Sequence, residues 1–391
     1  MLGASRIETA EPQASRRDLG RQSGREAARP SGAAKTLRVL MAAGGTGGHI
    51  FPLLAVAERL RATGAAEVQF MGTGRPLEAR VIPAAGFPLC SVRAAGLKGI
   101  GGPKKLRNLA VLPLAALDTA KVLARFRPGV VAGIGGYLAG PALLEAALAG
   151  LPTLLIEPNA VPGFTNRLLA PVVQRAAVAF ERAAEFYGTK ARVTGLPVRR
   201  EFFDVPPAPP ARPLTLLIVG GSLGAKAINR LVIENLPRIR EHASGWRIIH
   251  QTGEADYNAV EAAYRAEGVR GEIHAFIENM PAALAVAHLV VSRAGASALA
   301  ELAAAGRPSV LIPFPAATDQ HQLENAREFG RAGAGLILEE NQTSAERLFQ
   351  AARDLMNNLP LLSEMGRQAR SSARPDAAER IAEMIVELGT A

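Results

Sequence analysis

The stretch VLMAAGGTGGHIFP, residues 39–52, places one imidazole directly after a cluster of glycines. Glycine lets backbone N–H groups approach an anion closely, and an imidazole with a pKa of about 6.5 can take a proton near neutral pH. His49 is therefore the candidate catalytic residue, either as a general base or as a group that orients an acceptor or a diphosphate. A purely structural histidine is the third interpretation. Pro52 is expected in the first turn of a helix that begins here.

Three further glycine-rich loops follow apolar runs in the same way. They are GIGGYLAGP (133–141), VGGSLGAKAIN (219–229) and SRAGASALAE (292–301). A helix after each loop adds the positive end of its dipole to the backbone N–H groups. Four such loops together predict a large phosphorylated ligand in a cleft.

The common phosphate-binding fingerprints do not fit these loops. From Gly45 the spelling GTGGHI lacks the last glycine of the dinucleotide fingerprint, and Lys226 stands between two alanines instead of before Ser or Thr. The sequence contains no Asp-x-Asp, and its single cysteine excludes a cysteine-based zinc site. We therefore expect no metal site and no required cofactor, with helix N-termini and N–H groups stabilising any departing diphosphate.

Short apolar runs alternate with amphipathic segments from Lys35 onward. Runs such as TLRVLMAA and TLLIE are typical of buried strands, and the alternation restarts at LTLLIVGG. This pattern predicts the α/β class, with two Rossmann-like parallel-sheet domains that face each other across a cleft. The expected divisions are a disordered basic tail (1–35), an N-terminal domain (36–198), a C-terminal domain (199–374, with a proline-rich linker at about 200–213) and a C-terminal helix (375–391) that could cross back to the N-terminal domain.

The charge of the chain indicates an anionic partner. The 391 residues carry a net charge of +10, with a pI near 10.3. Nucleic acid is not expected, because aromatic residues make up only 5% and no base-stacking module is recognisable. The stretch most similar to a membrane span, 129–144, has no charged residue, but it is rich in glycine, contains Pro141 and falls short of the roughly 20 apolar residues of a spanning helix. Any membrane contact is therefore expected to be peripheral.

Seven motifs stand in a fixed order along most of the chain. They are GGTGGHIFP (44–52), GGYLAGP (135–141), EPNAVPGFTN (157–166), GLPVR (195–199), GGSLGA (220–225), RAGASALAE (293–301) and DQHQLENA (319–326). In that order and spacing, the chain from Leu37 to its C-terminus resembles the MurG family, the membrane-associated glycosyltransferases of bacterial peptidoglycan synthesis, which have the two-domain GT-B fold.

The resemblance implies an inverting hexosyltransferase. The implied reaction moves N-acetylglucosamine from UDP-N-acetylglucosamine (UDP-GlcNAc) to the C4 hydroxyl of N-acetylmuramic acid on undecaprenyl-diphosphate-linked lipid I, giving lipid II and UDP. The donor is expected in the C-terminal half and the lipid-linked acceptor in the N-terminal half. The implied location is the cytoplasmic face of the bacterial inner membrane, on an anionic surface, and other cell-wall synthesis proteins could be further partners.

The resemblance also assigns roles to individual residues. Glu301 matches a glutamate that binds the ribose hydroxyls, and Ile277 would contact uracil through its main chain. Arg199 matches an arginine beside the uridine diphosphate, with an interdomain salt bridge as the alternative, and Ser222 would meet the diphosphate or simply cap a helix. The other implied donor contacts are Thr46, Gly47, Gly48, Asn159, Ala296, Ser297, His321 and Gln322, and the implied acceptor contacts are Gly45, Thr46, His49 and Tyr137.

The sequence departs from the family pattern near the expected diphosphate and donor sugar. Leu223 stands where Gln is usual, Ala294 replaces a frequent Ser, Ala298 replaces a frequent Thr, and Pro158 interrupts the usual EQN. These changes remove side-chain hydrogen-bond donors. Either backbone amides suffice for the phosphates, or donor affinity is weaker than in the family.

A basic and apolar segment, 92–117, suits an anionic lipid surface. Its expected membrane-facing residues are Leu97, Lys98, Ile100, Lys104 and Lys105, and in the family this region lies at the acceptor and membrane face. The alternative is a loop that leads into an ordinary amphipathic helix with solvated lysines.

Two other functions remain open from the sequence. One is a non-catalytic nucleotide-sugar-binding protein of the same fold, and the other is a GT-B transferase that uses a different lipid acceptor. The presence of His49, Glu301 and Gln322 favours a catalytic protein.

Overall fold

The computed structural model describes residues 36–44, 47–93, 102–209, 211–317 and 320–391, without the side chains of residues 102–112 and of Tyr137. Several expectations therefore lie outside the described residues. They concern the tail at 1–35, the whole of Gly45, Thr46, Leu97, Lys98 and Ile100, and the side chains of Lys104, Lys105 and Tyr137.

In the described part of the chain, seven parallel strands form the first sheet. They are β1 (Leu37–Ala42), β2 (Ala66–Gly72), β3 (Leu89–Ser91), β4 (Val130–Gly133), β5 (Thr153–Glu157), β6 (Arg175–Val178) and β7 (Ala191–Val193), in the order β3-β2-β1-β4-β5-β6-β7. The central strands β4 and β5 are buried at every residue, as expected for a parallel sheet covered by helices on both faces. The covering helices are α1 (Gly47–Ala62), α2 (Pro76–Ala84), α3 (Gly102–Phe126), α4 (Gly136–Leu148), α5 (Phe164–Leu169) and α6 (Glu181–Tyr187).

A second parallel sheet follows the proline-rich segment. Among the described residues its strands are β8 (Thr215–Val219), β9 (Arg247–Gln251), β10 (Glu272–His274), β11 (Leu289–Ser292), β12 (Ser309–Leu311) and β13 (Gly335–Ile337), in the order β10-β9-β8-β11-β12-β13. Its helices are α7 (Lys226–Ile233), α8 (Leu236–His242), α9 (Tyr257–Ala266), α10 (Met280–Val286), α11 (Ala296–Ala305), α12 (His321–Arg331), α13 (Ala345–Met356) and α14 (Leu359–Ser372). The two sheets confirm the predicted fold class.

The last helix, α15 (Ala377–Thr390), packs against α1 and the first sheet. Ile381, Met384 and Ile385 are buried in the same apolar cluster as β1 and α1. Two ion pairs hold the edges of the helix, Arg59–Glu379 at 2.6 Å and Arg192–Glu387 at 3.0 Å. The chain thus begins and ends its described part on the same domain.

The strand orders create two switch points, where neighbouring strands lead away to opposite sides of the sheet. In the first sheet the switch lies between β1 and β4, and in the second between β8 and β11. Ligands of open α/β sheets bind outside the carboxyl ends of the strands at such points. The four glycine-rich loops follow these four strands, so the fold brings each pair of loops together at one switch point.

Candidate active site

His49 lies in the first turn of α1, directly after the β1 loop. Its Nδ1 is 3.0 Å from the Gly44 carbonyl oxygen, which can only accept, so Nδ1 carries the proton and Nε2 keeps its lone pair. Burial lowers the pKa of His49 below its usual value, and the bond to Gly44 opposes part of that effect. The ring also lies beside Gly136 of the β4 loop: a Cβ atom there would sit 3.6 Å from His49 Cε1. A neutral imidazole with a free Nε2 can accept a proton.

The prediction for Pro52 is wrong. The helix begins at Gly47, so Pro52 lies in its second turn instead of its first. Residue 52 would normally donate its N–H to the carbonyl oxygen of Gly48, but proline has no N–H. The Gly48 carbonyl instead accepts a hydrogen bond from Ser297 Oγ at 3.1 Å.

That bond joins the two domains at their switch points. Ser297 is the second residue of α11, which begins at Ala296 after the β11 loop and ends at Gly306 in the left-handed conformation. The N-terminus of α11, with its unpaired N–H groups, therefore lies against the first turn of α1 and beside the His49 loop. The structure brings together the predicted residues Gly48, Ala296 and Ser297, and it engages the Ser297 hydroxyl in a contact that the sequence did not predict.

Arg199 and Glu301 are two ionisable residues of the site that influence each other electrostatically. The Arg199 guanidinium lies over the rings of Phe51 and Phe202, with its Cζ atom 5.0 and 5.1 Å from the ring centroids. Burial raises the pKa of Glu301 to about 7, and the positive charge of Arg199 opposes part of that rise. The described residues show no ion pair between Arg199 and Glu301 within 4 Å, so the influence of Arg199 on this carboxyl acts without a direct contact.

The loops after β8 and β10 are joined by Gln251, a residue that the sequence analysis missed. Gln251 is 2% exposed at the end of β9, the strand between β8 and β10. Its Nε2 donates to the Gly221 carbonyl at 2.9 Å, and its Oε1 accepts from Ile277 N at 2.8 Å. The Ile277 N–H is thus already bonded, which leaves its carbonyl for any main-chain contact with a base. The available signal was a polar residue, Gln251, two positions after the apolar pair Ile248–Ile249 in RIIHQ.

Ser222 and Leu223 lie exposed in the β8 loop, and Leu223 is 84% exposed. Ser222 does not cap a helix, because α7 begins at Lys226 with Ala225 as its N-cap. The capping alternative for Ser222 is therefore excluded. The loop itself is tightly held: a Cβ atom at Gly224 would lie 2.0 Å from the Thr252 carbonyl oxygen, so this position requires glycine.

The predicted sugar-binding residues lie around the start of α12. His321 is the first residue of this helix, and Gln322 Oε1 accepts from Phe314 N at 3.0 Å. Asn159, in the loop after β5, contacts the same helix through Asn325, whose Nδ2 donates to Asn159 Oδ1 at 3.1 Å. The structure thus places Asn159 close to the helix that carries His321 and Gln322, although the two residues come from different domains.

The described residues contain neither a cluster of metal-ligating side chains nor a helix that could span a membrane. No group of three or more His, Cys, Asp or Glu side chains is arranged there to hold a metal ion. Likewise, none of the described helices combines the length and the apolar character needed to cross a bilayer.

Comparison with known proteins assigns the family. The glycosyltransferase family 28 N-terminal domain matches residues 39–178, and the family's C-terminal domain matches residues 215–381. A relative from Anaeromyxobacter sp. (strain K) is 44% identical over 357 residues, covering 90% of this chain and 93% of that protein; its name is UDP-N-acetylglucosamine--N-acetylmuramyl-(pentapeptide) pyrophosphoryl-undecaprenol N-acetylglucosamine transferase. A Myxococcus xanthus protein of the same name is 42% identical over 356 residues, with coverage of 90% and 93%. The chain belongs to the MurG family.

Solved structures agree with this assignment. The crystal structure of Acinetobacter baumannii MurG superimposes with a TM-score of 0.71 at 34% identity, covering 90% of this chain and 99% of that one. A UDP-GlcNAc 2-epimerase from Neisseria meningitidis, at 14% identity and a TM-score of 0.65, shares the fold alone. The GT-B architecture and the glycosyltransferase class of this MurG-family chain thus follow from sequence and from structure.

Proposed function

We propose that this MurG-family enzyme transfers N-acetylglucosamine from UDP-GlcNAc to the C4 hydroxyl of N-acetylmuramic acid on lipid I, releasing lipid II and UDP. The observation that carries the proposal is the 3.1 Å hydrogen bond between Ser297 and Gly48. This bond brings the N-terminus of α11, which suits a diphosphate, against the first turn of α1, which carries a neutral histidine. A leaving group and a proton acceptor can therefore meet in one crevice.

In the proposed mechanism, the donor occupies the second domain. The Ile277 main chain contacts uracil, and the Glu301 carboxylate accepts hydrogen bonds from the ribose hydroxyls. The diphosphate lies at the N–H groups of Ala296 and Ser297, with Ser222 nearby. Arg199 adds a positive charge beside the diphosphate. His321, Gln322 and Asn159 surround the sugar, and Gly47 and Gly48 let the α1 turn approach it.

The acceptor approaches from the first domain, along Gly45, Thr46, His49 and Tyr137. As its C4 oxygen forms a bond to the anomeric carbon, the bond from that carbon to the diphosphate oxygen breaks and the configuration inverts. His49 Nε2 takes the hydroxyl proton, and the negative charge moves to UDP, where the α11 N-terminus stabilises it. We propose that no divalent cation takes part in this step.

The test is release of UDP by the purified chain from UDP-GlcNAc and a lipid I analogue, with and without EDTA. We expect equal rates in both conditions. Strict dependence on an added divalent cation would contradict the metal-free step, and absence of UDP release above background would contradict the transfer itself. A nucleotide-sugar-binding protein without activity would still bind UDP-GlcNAc in a calorimetric titration, which separates that alternative.

We further propose that the enzyme works peripherally at the cytoplasmic face of an anionic membrane, with the first domain towards the lipid. The basic and apolar sequence of 92–117 is one support for this orientation. A second comes from the helices α4 and α5, which pack together and expose apolar side chains: Leu148 is 77% exposed and Leu168 is 64% exposed. Leu148→Glu with Leu168→Glu should reduce co-sedimentation with phosphatidylglycerol vesicles. Leu359→Glu, at an exposed position of the second domain, is the control, and an equal loss in the control would contradict this orientation.

We also propose that the domain boundaries lie at 36–198, 199–374 and 375–391. The packing of α15 on the first sheet supports treating the last segment as part of the N-terminal domain.

A further inference from the structure

A fully buried amide on α12 connects the two domains. Asn325 is 0% exposed, and its Oδ1 accepts from the Ala160 N–H of the β5 loop at 2.8 Å. Its Nδ2 donates to Asn159 Oδ1 at 3.1 Å and to the Ala294 carbonyl at 3.4 Å. Asn159 and Ala160 follow the first sheet, whereas Ala294 follows β11 of the second.

The orientation of the Asn325 amide is determined by its backbone partners. A backbone N–H can only donate and a backbone carbonyl can only accept, so Oδ1 must face Ala160 and Nδ2 must face Ala294. Both polar atoms of the side chain are then satisfied in a site without solvent. A residue of the same size that lacks either function would leave buried partners unpaired.

The loop that Asn325 contacts, which follows β5, is itself held in place by hydrogen bonds to Glu157. This fully buried carboxylate accepts from Asn159 N at 2.9 Å, from Asn159 Nδ2 at 3.1 Å and from Asn166 Nδ2 at 2.7 Å. Both ends of the Asn159 amide are therefore bonded, one to each domain. Asn325 binds a pre-organised surface, which fixes the position of α12 against the first domain.

The contact continues to the diphosphate end of the site. Ala294 immediately precedes Gly295, the N-cap of α11, and the first turn of α11 carries Ser297, which bonds Gly48 beside His49. We propose that Asn325 is a positioning residue for the transfer step: it sets the closed arrangement of the two domains in which the α11 N-terminus and the His49 loop share one crevice. This inference rests on the proposed function and extends it to domain closure.

A second polar contact between the two domains is solvent-exposed and should therefore contribute less to holding them together. Arg182 of α6 pairs with Glu324 of α12, but the arginine side chain is 45% exposed, and exposed ion pairs contribute little. Arg182→Ala should therefore leave closure almost unchanged. Loss of the buried Asn325 amide next to this pair should instead change both the domain arrangement and the activity.

The chain offers a matched control in Asn235. This asparagine is 3% exposed and its Nδ2 also donates twice, to the Leu231 carbonyl at 2.9 Å and to the Ala345 carbonyl at 2.7 Å, but both partners lie in the second domain. Asn325→Leu and Asn235→Leu thus remove similar buried bonds. They differ in whether those bonds join the two domains.

The experiment measures interdomain distances and kinetics in the same variants. Spin labels at Glu58→Cys and Glu346→Cys, in a Cys90→Ser background, report the distance between the domains without any substrate. We expect Asn325→Leu to broaden that distance distribution and lengthen its mean, and to lower kcat by roughly tenfold or more. We expect Asn235→Leu to lower the melting temperature while leaving the distance distribution and kcat unchanged.

A third variant separates positioning from general destabilisation. Asn325→Asp keeps the acceptor for Ala160 but places a carboxylate against Asn159 Oδ1 and the Ala294 carbonyl, so it too should open the domains. An unchanged distance distribution in Asn325→Leu and Asn325→Asp would overturn the proposal, as would an equal broadening in Asn235→Leu. The distance measurement needs no turnover, so a failure of the proposed reaction would be recognised separately, by absence of UDP release in the unsubstituted enzyme.

Discussion

Replacing Glu301 with glutamine should move donor binding and protein stability in opposite directions. The carboxyl group has a pKa near 4.5 in an unfolded chain and about 7 in the folded one, because burial disfavours its charged form more than Arg199 favours it. That difference of about 2.5 pH units, at about 1.36 kcal/mol per unit, corresponds to about 3 kcal/mol. The folded protein bears this cost only when the carboxyl is ionised.

The sign of the stability effect follows from the raised pKa. The folded state binds the proton more tightly than the unfolded state, so the stability contributed by Glu301 is complete below about pH 4.5 and is lost as the pH rises through about 7. Glutamine carries no charge at any pH. Glu301→Gln should therefore raise the melting temperature at pH 8 and change it little at pH 4.5, as measured by differential scanning fluorimetry.

The effect on the donor should be the reverse. An ionised carboxylate can accept from both ribose hydroxyls, and charge-assisted bonds contribute about 1.5–3 kcal/mol each. Glutamine keeps one acceptor oxygen without the charge, so the donor KM should rise by about tenfold or more, while the acceptor KM stays constant. In the unsubstituted enzyme the donor KM should rise as the pH falls through about 7, and this dependence should vanish in the variant.

Glu145 provides the control for this experiment. Burial raises the pKa of this α4 carboxyl to about 7 as well, but it lies on the first domain, away from the proposed donor site. Glu145→Gln should leave the donor KM and its pH dependence unchanged. Three results for Glu301→Gln would refute the role assigned to Glu301: an unchanged donor KM, an equal rise in both KM values, or an equal rise in the melting temperature at both pH values.

Three further predictions concern other parts of the site. His49→Ala should lower kcat by about 10²–10⁴-fold and remove the acidic limb from the dependence of kcat on pH. In the unsubstituted enzyme that limb should lie below about pH 6.5, because burial lowers the pKa of His49 and a general base must be unprotonated. A large drop in kcat with the acidic limb retained would instead indicate a binding role. Gln251→Leu should raise the donor KM by about tenfold in steady-state assays without affecting the acceptor KM, because the loops after β8 and β10 lose the hydrogen bonds that join them. Tyr264→Phe, a buried change in the same domain, is the control. Equal effects of the two substitutions would contradict a specific role of Gln251 in donor binding. EDTA should leave UDP release unchanged, and loss of activity that Mg²⁺ restores would contradict stabilisation by backbone amides.

Most of the fold could be predicted from the sequence because its central strands are short, apolar and fully buried. Runs such as TLLIE need no tertiary information to be recognised, and the glycine-rich loops mark where the strands end. The three-residue strands β3, β7 and β13 were not predicted, since each is too short and too weakly patterned to be distinguished from a loop. They lie at or beside the sheet edges, where pairing with a neighbour decides the conformation.

The start of α1 was misplaced for a local reason. Gly47 and Gly48 are poor helix formers, so the helix was expected to begin nearer to Pro52. In the folded protein, the Ser297 hydroxyl donates a hydrogen bond to the Gly48 carbonyl and so replaces the N–H that Pro52 lacks. That partner lies on the other domain, so the local sequence could not reveal it.

The side chains that organise the site were the hardest to predict. Asn325 lies within the motif DQHQLENA, yet its bond to Ala160 joins residues 165 positions apart in the sequence. Gln251 is the last residue of β9, and its role depends on which two strands flank β9. Both residues act through the tertiary arrangement of loops, whereas His49 and Glu301 were recognisable from a motif and its residue types.

A crystal structure of the enzyme with UDP-GlcNAc tests the central claim most directly. We expect uracil at the Ile277 main chain, the ribose at Glu301, and the diphosphate at the amides of Ala296 and Ser297, with the sugar facing His49. A nucleotide bound at the β1 and β4 loops of the first domain, or a diphosphate held by a divalent cation away from α11, would contradict it.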